Sequence, residues 1–340
     1  MSSIFWWHFS TASIYTKIAI VRGNFIGDFQ KGRSDRPFFV CSFAKMKKSH
    51  KSGFVNIIGN PNVGKSTLMN AFVGEKLSII TSKAQTTRHR IFGIVYGDDF
   101  QVVFSDTPGI IKPAYQLQES MMGFVKSAFE DADVLLYMVE IGEKGLKDET
   151  FFKKIKDSKI PVLVLLNKID TSEQSFLEEQ VQYWQELLPN AEIHPISALE
   201  NFNVEEVFNR VLALLPEGPA YYPKDQFTDK PERFFVNESI REKILQNYKK
   251  EIPYSVEVET EEFLEDEKII RIRSVIMVER DSQKGIIIGH KGAALKKVGV
   301  GARKDLEKFF GKQVHIELYV KVNKNWRSNT NQLKRFGYNT

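Results

Sequence analysis

Apolar and polar residues follow two different patterns along the chain. In the first half, the runs "FVNII", "QVVF" and "IPVLVLL" are almost continuously apolar, and each leads into polar or glycine-containing residues. Runs of this kind are typical of parallel strands that are covered on both faces. Beyond residue 267, "EKIIRIRSVIMVER" alternates and is rich in β-branched residues, which predicts a strand with one covered face. We therefore expect a mostly parallel, doubly wound α/β domain followed by a smaller α+β domain.

Proline and glycine mark the boundary between the two domains. Four prolines lie between residues 216 and 231, directly after an amphipathic stretch that ends at Leu215. They stop the predicted helix and indicate a stiff connector. The predicted segments are the first domain at 46–218, the connector at 219–231, the second domain at 232–326 and a basic tail at 327–340. We expect the tail to become ordered only when it meets a partner.

Residues 1–45 do not belong to the predicted fold. They are basic and contain no acidic residue before Asp28. This composition permits a mitochondrial transit peptide. The alternative, which we favour, is a segment that lies upstream of a true start at Met46.

The composition narrows the class of protein. Of the 340 residues, 42% are hydrophobic and 27% are charged, as in ordinary globular domains. The single cysteine, Cys41, excludes a disulfide framework and a cysteine-ligated zinc site, and it indicates a reducing compartment. No apolar run reaches the length that a bilayer span requires, so we expect a soluble or peripherally bound protein.

The net charge of +5 is unevenly distributed. Residues 1–50 carry a net charge of +6 and residues 268–340 carry +12, which leaves −13 for the middle of the chain. A basic end that contains aromatic residues is typical of proteins that bind a polyanion. The alternative is a charged face that only meets solvent.

The segment "GNPNVGKS", residues 59–66, fits the phosphate-binding loop pattern and lies between an apolar strand and a helix. Its glycines let backbone N–H groups turn toward a phosphate, Lys65 reaches the outer phosphates, and Ser66 offers its hydroxyl to Mg²⁺. The predicted phosphate-binding residues are Gly59, Asn60, Pro61, Asn62, Val63, Gly64, Lys65, Ser66 and Thr67.

Later motifs indicate that the base is guanine. The predicted strand 160–166 delivers Asn167, Lys168 and Asp170 to the carboxyl edge of the sheet, where ligands of open α/β sheets bind. The Asp170 carboxylate can accept from both the ring N–H and the exocyclic amine of guanine, whereas adenine offers no such pair of donors, so the site favours GTP over ATP. The segment "EIHPIS" predicts a further edge strand, followed by residues that cover the base: Ser197, Ala198 and Leu199.

A third group of residues indicates hydrolysis. Asp106 follows the predicted strand 101–105, a position from which a carboxylate holds Mg²⁺ through water, and Gly109 offers its N–H to the γ-phosphate. Either Thr86 or Thr87 completes the Mg²⁺ shell, and we favour Thr87. The predicted catalytic residues are Lys65, Thr87, Asp106 and Gly109, and the predicted metal ligands are Ser66, Thr87 and Asp106.

Ile110 occupies the position at which many GTPases have a glutamine that orients the attacking water. A hydrocarbon side chain cannot orient water by hydrogen bonding. We therefore expect slow intrinsic hydrolysis and a molecular switch rather than a metabolic enzyme.

Together, these motifs resemble those of the Era-type GTPases. The resemblance rests on "GNPNVGKS", "AQTTRHRI", "DTPG", "NKID" and "SAL", and it extends over about residues 52–326. It implies a P-loop GTPase domain joined to a C-terminal KH domain of type II that binds ribosomal RNA. It also implies that Asn62 helps to hold K⁺ beside the phosphates.

A second glycine loop, "GHKG" at 289–292, supports the KH assignment. The order strand, helix, G-x-x-G loop, helix, strand resembles the KH module, in which the glycines let an RNA backbone come close. The predicted RNA-binding residues are Gly289, His290, Lys291, Gly292, Lys296, Lys297 and Arg303. Pairing of Arg303 with acidic residues of its own helix is the alternative. The core of this domain is expected to include Ile286, Ile287, Ile288 and Leu295, and the alternative is that one of the isoleucines forms the floor of the base-binding groove.

The leading hypothesis is a GTP-hydrolysing switch that binds GTP or GDP and RNA. From the resemblance, its RNA is 16S rRNA near the 3′ end, and its role is assembly of the 30S subunit. The alternative is a membrane-associated signalling GTPase whose basic domain binds lipid or protein. An RNA-modification enzyme is a third possibility, but no second active-site cluster supports it. We expect a monomer in the cytoplasm with peripheral contact at the inner membrane, or a mitochondrial protein if residues 1–45 are a transit peptide.

Overall fold

The structure is a computed structural model that describes residues 49–338, all of which belong to one compact unit. The predictions for residues 1–45 and for the last two residues of the tail fall outside the described residues. Within the described part, no helix is both long enough and apolar enough to cross a membrane.

The first domain is a six-stranded sheet with helices on both faces. Its elements are β1 (Lys51–Ile58), α1 (Lys65–Val73), β2 (Ile91–Tyr96), β3 (Phe100–Asp106), α2 (Gln116–Glu130), β4 (Val134–Glu140), α3 (Glu149–Lys156), β5 (Val162–Asn167), α4 (Gln174–Leu187), β6 (Glu192–Pro195) and α5 (Val204–Leu214). The strand order is β2-β3-β1-β4-β5-β6, and all neighbours are parallel except β2 and β3. The predicted α/β fold class is confirmed.

The continuous apolar runs are explained by burial on both faces of the sheet. Along β4, Leu136 packs in a core with α1 and α5, and the next residue, Tyr137, packs in a second core with α3 and α4. Because successive strand residues point to opposite faces, a strand between two helical layers needs apolar residues at every position. The carboxyl ends of β1, β4 and β5 then meet at one edge, where the nucleotide motifs lie.

The second domain is a three-stranded sheet with helices. Its elements are α6 (Glu232–Asn247), β7 (Glu257–Glu265), β8 (Ile269–Val278), α7 (Asp281–Ile288), α8 (Ala293–Phe310), β9 (Gln313–Val322) and α9 (Thr330–Arg335). The central strand β8 is antiparallel to β7 and parallel to β9. This arrangement confirms the predicted α+β domain of KH type. Ile287 is buried in its core, Ile288 and Leu295 pack against that core, but Ile286 is half exposed, so its assignment to the core is wrong.

The connector is fixed to the first domain. The side-chain oxygen of Gln101 on β3 accepts from the backbone N–H of Tyr221 at 2.7 Å and of Tyr222 at 3.0 Å. Ile94 of β2 donates its N–H to Phe227 O at 2.9 Å. The connector therefore runs along the outer strands as an ordered segment between α5 and α6.

The tail is folded, so the prediction that it orders only with a partner is wrong for residues 327–338. Trp326, Leu333 and Tyr338 are buried and pack with α2. Asn329 caps α9 by accepting from the N–H groups of Asn331 and Gln332. We call this group the tail cluster; its buried members are Ile110, Leu117, Met121, Met122, Val125, Trp326, Leu333 and Tyr338. The prediction followed the polar composition of the tail and overlooked its apolar residues, which pack in this cluster.

Candidate nucleotide and RNA sites

The phosphate-binding loop connects β1 to α1 at the carboxyl edge of the sheet. Gly64 has φ of 105°, in the left-handed region, and a Cβ there would lie 2.3 Å from Asn167 Nδ2, so only glycine fits. The Lys65 ammonium donates to Asn60 O at 2.8 Å and to Gly59 O at 3.2 Å. Burial lowers the pKa of Lys65 to about 8, against the opposing charges of Asp106 and Glu143. The loop thus surrounds the buried ammonium group of Lys65.

Three oxygen-bearing side chains meet beside this loop. Ser66 Oγ donates to Asp106 Oδ2 at 2.7 Å and lies 2.9 Å from Thr87 Oγ1, and Thr87 Oγ1 lies 3.3 Å from Asp106 Oδ2. Thr86 instead turns away, because its hydroxyl donates to Lys83 O at 2.6 Å. Of the two threonines, Thr87 is the one that lies with the predicted metal ligands.

This cluster fits a hard divalent cation such as Mg²⁺. Asp106 Oδ1 is buried and has no partner among the described residues, so a carboxylate oxygen is left over at the site. Burial raises the pKa of Asp106, and the hydrogen bond from Ser66 and the charge of Lys65 oppose that rise. A bound cation would favour the ionised carboxylate and take the place of hydrogen bonds that now join three oxygens.

The base-recognition residues lie at the ends of β5 and β6. Asn167 joins three segments, since its Nδ2 donates to Val63 O at 2.7 Å and its Oδ1 accepts from Ala198 N at 2.9 Å. Ser197 Oγ donates to Asp170 Oδ1 at 2.6 Å, which holds that carboxylate in one orientation. The orientation of Asp170 is therefore set before a base enters.

A cleft of about 440 Å³ contains most of these groups, within the usual size range of ligand sites. The predicted residues that line it are Pro61, Asn62, Gly64, Lys65, Ser66, Thr67, Thr87, Gly109, Asn167, Lys168, Asp170, Ser197, Ala198 and Leu199. The other predicted residues contact side chains that line the cleft. The backbone carbonyls of Gly59 and Asn60 accept from Lys65, and that of Val63 accepts from Asn167. Asp106 accepts from Ser66.

Two sets of residues at the nucleotide site were not predicted from the sequence. Residues 79–82, Gln85 and Thr171 also line the cleft. Glu143, in the loop after β4, accepts from Asn60 Nδ2 at 3.2 Å. Residues 79–85 directly precede Thr86 and Thr87 in the sequence, and this position could have indicated that they line the cleft. Nothing in the sequence around Glu143 indicated its contact with the phosphate-binding loop.

A second groove of about 370 Å³ lies along α8 and β9. Among the predicted RNA-binding residues, Gly292, Lys296 and Arg303 line it. Gly289, His290 and Lys291 form the loop at its end, where Gly289 has φ of 69° and Lys291 has φ of 48°, whereas Lys297 is exposed beside it. Gly289 is required for packing as well, because a Cβ there would lie 2.6 Å from the Cβ of Ala294.

The groove has an apolar floor with a basic rim. Residues that sequence reasoning missed are Gly299, Val300, His315, Ile316 and Leu318. Their signal was present, since Gly299 and Val300 continue the helical spacing of Gly292 and Lys296, and alternation on β9 places Ile316 and Leu318 on one face. Arg303 also donates to Glu307 at 3.1 Å, so the alternative pairing within α8 is observed.

Comparison with known proteins gives a consistent family assignment. Residues 54–168 match the model of the 50S ribosome-binding GTPase family, and residues 251–327 match the KH domain model. The chain is 46% identical over 291 residues to the GTPase Era of Staphylococcus haemolyticus, covering 85% of this chain and 97% of that protein. It is 45% identical, with the same coverage, to the GTPase Era of Staphylococcus epidermidis.

Two solved structures resemble the whole described fold. One is Era in complex with MgGDPNP and nucleotides 1506–1542 of 16S ribosomal RNA, with a TM-score of 0.81, 38% identity, and coverage of 86% of this chain and 100% of that one. The other is a variant of Aquifex aeolicus Era bound to GDP·AlF₄⁻, with a TM-score of 0.80, 37% identity, and coverage of 85% and 100%. With both domains matched and both sites in place, the chain belongs to the family of the GTPase Era.

Proposed function

We propose that this protein is a Mg²⁺-dependent GTPase whose nucleotide state controls binding of the 3′ end of 16S ribosomal RNA during 30S assembly. The observation that carries the proposal is that one compact unit holds both a complete guanine-nucleotide cleft and a basic groove behind a G-x-x-G loop. The related Era structure with MgGDPNP and a 16S fragment supports the choice of both ligands.

In the GTPase cleft, each predicted residue has a defined role. Asp170 reads guanine, and Lys65 neutralises charge on the outer phosphates. Ser66, Thr87 and Asp106 would hold Mg²⁺, which supplies positive charge to the phosphates when it is bound. Gly109 offers its N–H to the γ-phosphate. Phosphate release from GTP but not from ATP tests this part.

K⁺ is proposed as a second cation, on the basis of Asn62. This residue lines the cleft, and its Nδ2 donates to Ser82 O at 3.0 Å, so it joins the phosphate-binding loop to the segment before the switch threonines. A cation beside the phosphates would stabilise the negative charge that develops during hydrolysis, which the hydrocarbon side chain of Ile110 cannot do. Equal hydrolysis rates in potassium and sodium buffers would contradict this role.

The RNA groove would act on single-stranded RNA. Its apolar floor allows bases to pack, and its lysine and arginine side chains attract the backbone. The test is fluorescence anisotropy of an RNA with the sequence of nucleotides 1506–1542, titrated with the full chain in a GTP analogue and in GDP. We expect tighter binding with the analogue, and equal binding in both states would remove the switch from the proposal.

A matched pair of variants separates the groove from general charge. Lys296 lines the groove, whereas Lys304 is exposed on the same helix outside it. Lys296→Glu should weaken RNA binding about tenfold more than Lys304→Glu, although both change the net charge equally. Similar losses for both variants would indicate only long-range attraction. Cytoplasmic localisation, a monomeric state and peripheral membrane contact stay predictions.

A further inference from the structure

The segment "AQTTRHRI", residues 84–91, which we call the switch segment, contacts both domains. Thr87 points to the metal cluster, with Oγ1 2.9 Å from Ser66 Oγ. Its two neighbours contact the second domain instead: Arg241 on α6 donates to the carbonyl of Thr86, and Arg88 is buried against the residues that begin β7. A segment that holds a ligand group for the nucleotide is thus anchored on the RNA-binding domain.

Arg88 provides most of this anchor. Only 1% of its surface is exposed. Its Nη1 donates to Val256 O at 2.7 Å and to Glu257 Oε2 at 3.2 Å, and its Nη2 donates to Pro253 O at 3.2 Å and to Tyr254 O at 3.4 Å. All four acceptors lie within residues 253–257. The planar guanidinium therefore fixes the direction of the chain at the residue next to Thr87.

Surrounding groups fix Arg88 and balance its charge. Tyr338 donates its hydroxyl to Glu257 at 3.0 Å, and its ring stacks on His89 with centroids 4.2 Å apart. Arg241 pairs with Glu238 on the same helix. Burial raises the pKa of Glu257 and lowers that of His89 well below its ordinary value. Arg88 and Arg241 thus lie beside Glu257 and Glu238.

Such a network fixes the positions of its side chains but adds little to the free energy of unfolding. Removing two ion pairs from water carries a desolvation penalty that offsets most of their attraction. In the described chain, Arg88 Nε and Arg241 Nη1 also lack partners, which reduces the net gain further. A buried arrangement of this kind is better suited to setting position than to holding the domains together.

We propose that Arg88 is a positioning residue that holds Thr87 at the metal and γ-phosphate site from the second domain. The proposal rests on the proposed function, because it assumes that Thr87 meets Mg²⁺ when GTP is bound. Ordering Thr87 beforehand lowers the entropy lost on binding. GDP has no γ-phosphate, so its binding depends less on this segment. By linkage, GTP in turn stabilises the contact of residues 84–91 with the second domain.

The test compares Arg88→Met with the same change at a half-exposed site, Arg210→Met, in the full chain. Arg210 pairs with Glu192 far from the switch segment. Calorimetry with Mg²⁺ and either a non-hydrolysable GTP analogue or GDP gives both dissociation constants. For Arg88→Met we expect the analogue to bind about tenfold more weakly, which equals about 1.4 kcal/mol, and GDP to change by less than about twofold. Arg210→Met should change neither.

Other results overturn the proposal. Equal weakening of the analogue and GDP would give Arg88 a purely structural role, and no weakening of either would remove it from the site. If Arg88→Met does not fold, Arg88→Lys carries the same test, because it keeps a positive charge beside Glu257 but cannot reach the four acceptors with a planar guanidinium. A wild-type chain that binds neither nucleotide would instead refute the proposed function itself.

Discussion

Ile110→Gln tests whether the missing glutamine alone would account for the slow hydrolysis that the sequence predicts. The backbone N–H of Ile110 donates to Gly59 O at 3.0 Å, which keeps this position beside the phosphate-binding loop. Its side chain, however, is fully buried in the tail cluster with Trp326 and Leu333, and does not line the nucleotide cleft. A glutamine at this position would therefore enter an apolar cluster rather than reach the attacking water.

The magnitude follows from that burial. Burying an isoleucine side chain contributes roughly 1.5–3 kcal/mol. A buried amide without partners costs about 1–3 kcal/mol. Ile110→Gln should therefore destabilise the tail cluster, which joins α2 to residues 326–338, by about 2.5–6 kcal/mol. Hydrolysis should stay within about threefold of wild type, because the amide gains no access to the γ-phosphate.

Two measurements check this expectation. Hydrogen exchange of residues 326–338 reports docking of the tail, and single-turnover phosphate release reports hydrolysis. Ile110→Val is the control, since it keeps the cluster apolar and should cost only about 0.5–1.5 kcal/mol. Hydrolysis tenfold faster in Ile110→Gln, with unchanged exchange in the tail, would refute the reasoning.

Three further predictions concern the nucleotide cleft. Burial lowers the pKa of Lys65 to about 8, and bound phosphates favour its charged form. GTP binding should therefore take up a proton and weaken as the pH rises above about 8. Calorimetry in buffers of different ionisation enthalpy measures the proton uptake, and constant affinity from about pH 7 to about pH 9 would contradict the prediction. Asp170→Asn should weaken GTP binding more than about 100-fold, because two hydrogen bonds to a charged acceptor are worth roughly 1.5–3 kcal/mol each, or about 3–6 kcal/mol together. Glu173→Gln, at an exposed neighbouring position, should leave GTP binding unchanged. Retained GTP selectivity in Asp170→Asn would remove the base-recognition argument. Thr87→Val should weaken binding of a Mg²⁺–GTP analogue about tenfold and Thr86→Val should leave it unchanged, and the reverse order would assign the metal to Thr86.

The nucleotide cleft was predictable because its chemistry is local in sequence. Residues 59–67 turn around a phosphate within one strand-loop-helix unit, so that spacing alone places the groups. Asn167 and Asp170 follow a buried strand, whose end position is set by the sheet. At these places the pattern of apolar residues and the chemistry of the ligand specify the same geometry.

The contacts between the domains were not predictable, since they join residues far apart in sequence. Arg88 meets acceptors about 168 positions later, and an arginine between polar residues has the pattern of a surface residue. The tail had the same difficulty, because Trp326, Leu333 and Tyr338 are spaced too widely to form a periodic pattern. Ile286 shows the opposite error, an apolar residue in an apolar run that the helix α7 turns toward solvent.

Contacts with the second domain differ in chemistry between residues 84–91 and Ile110, and this difference determines which contact a nucleotide can change. At Ile110 the contact is apolar, and each fully buried large side chain contributes roughly 1.5–3 kcal/mol. At Arg88 the contact is polar, with one ion pair and three hydrogen bonds to backbone carbonyls, and desolvation offsets much of the attraction. Coupling between two ligand sites is typically about 1–3 kcal/mol. That amount is sufficient to rearrange the network at Arg88 but not to expose the tail cluster, so we expect the nucleotide to act on the RNA groove through residues 84–91 while residues 326–338 stay docked.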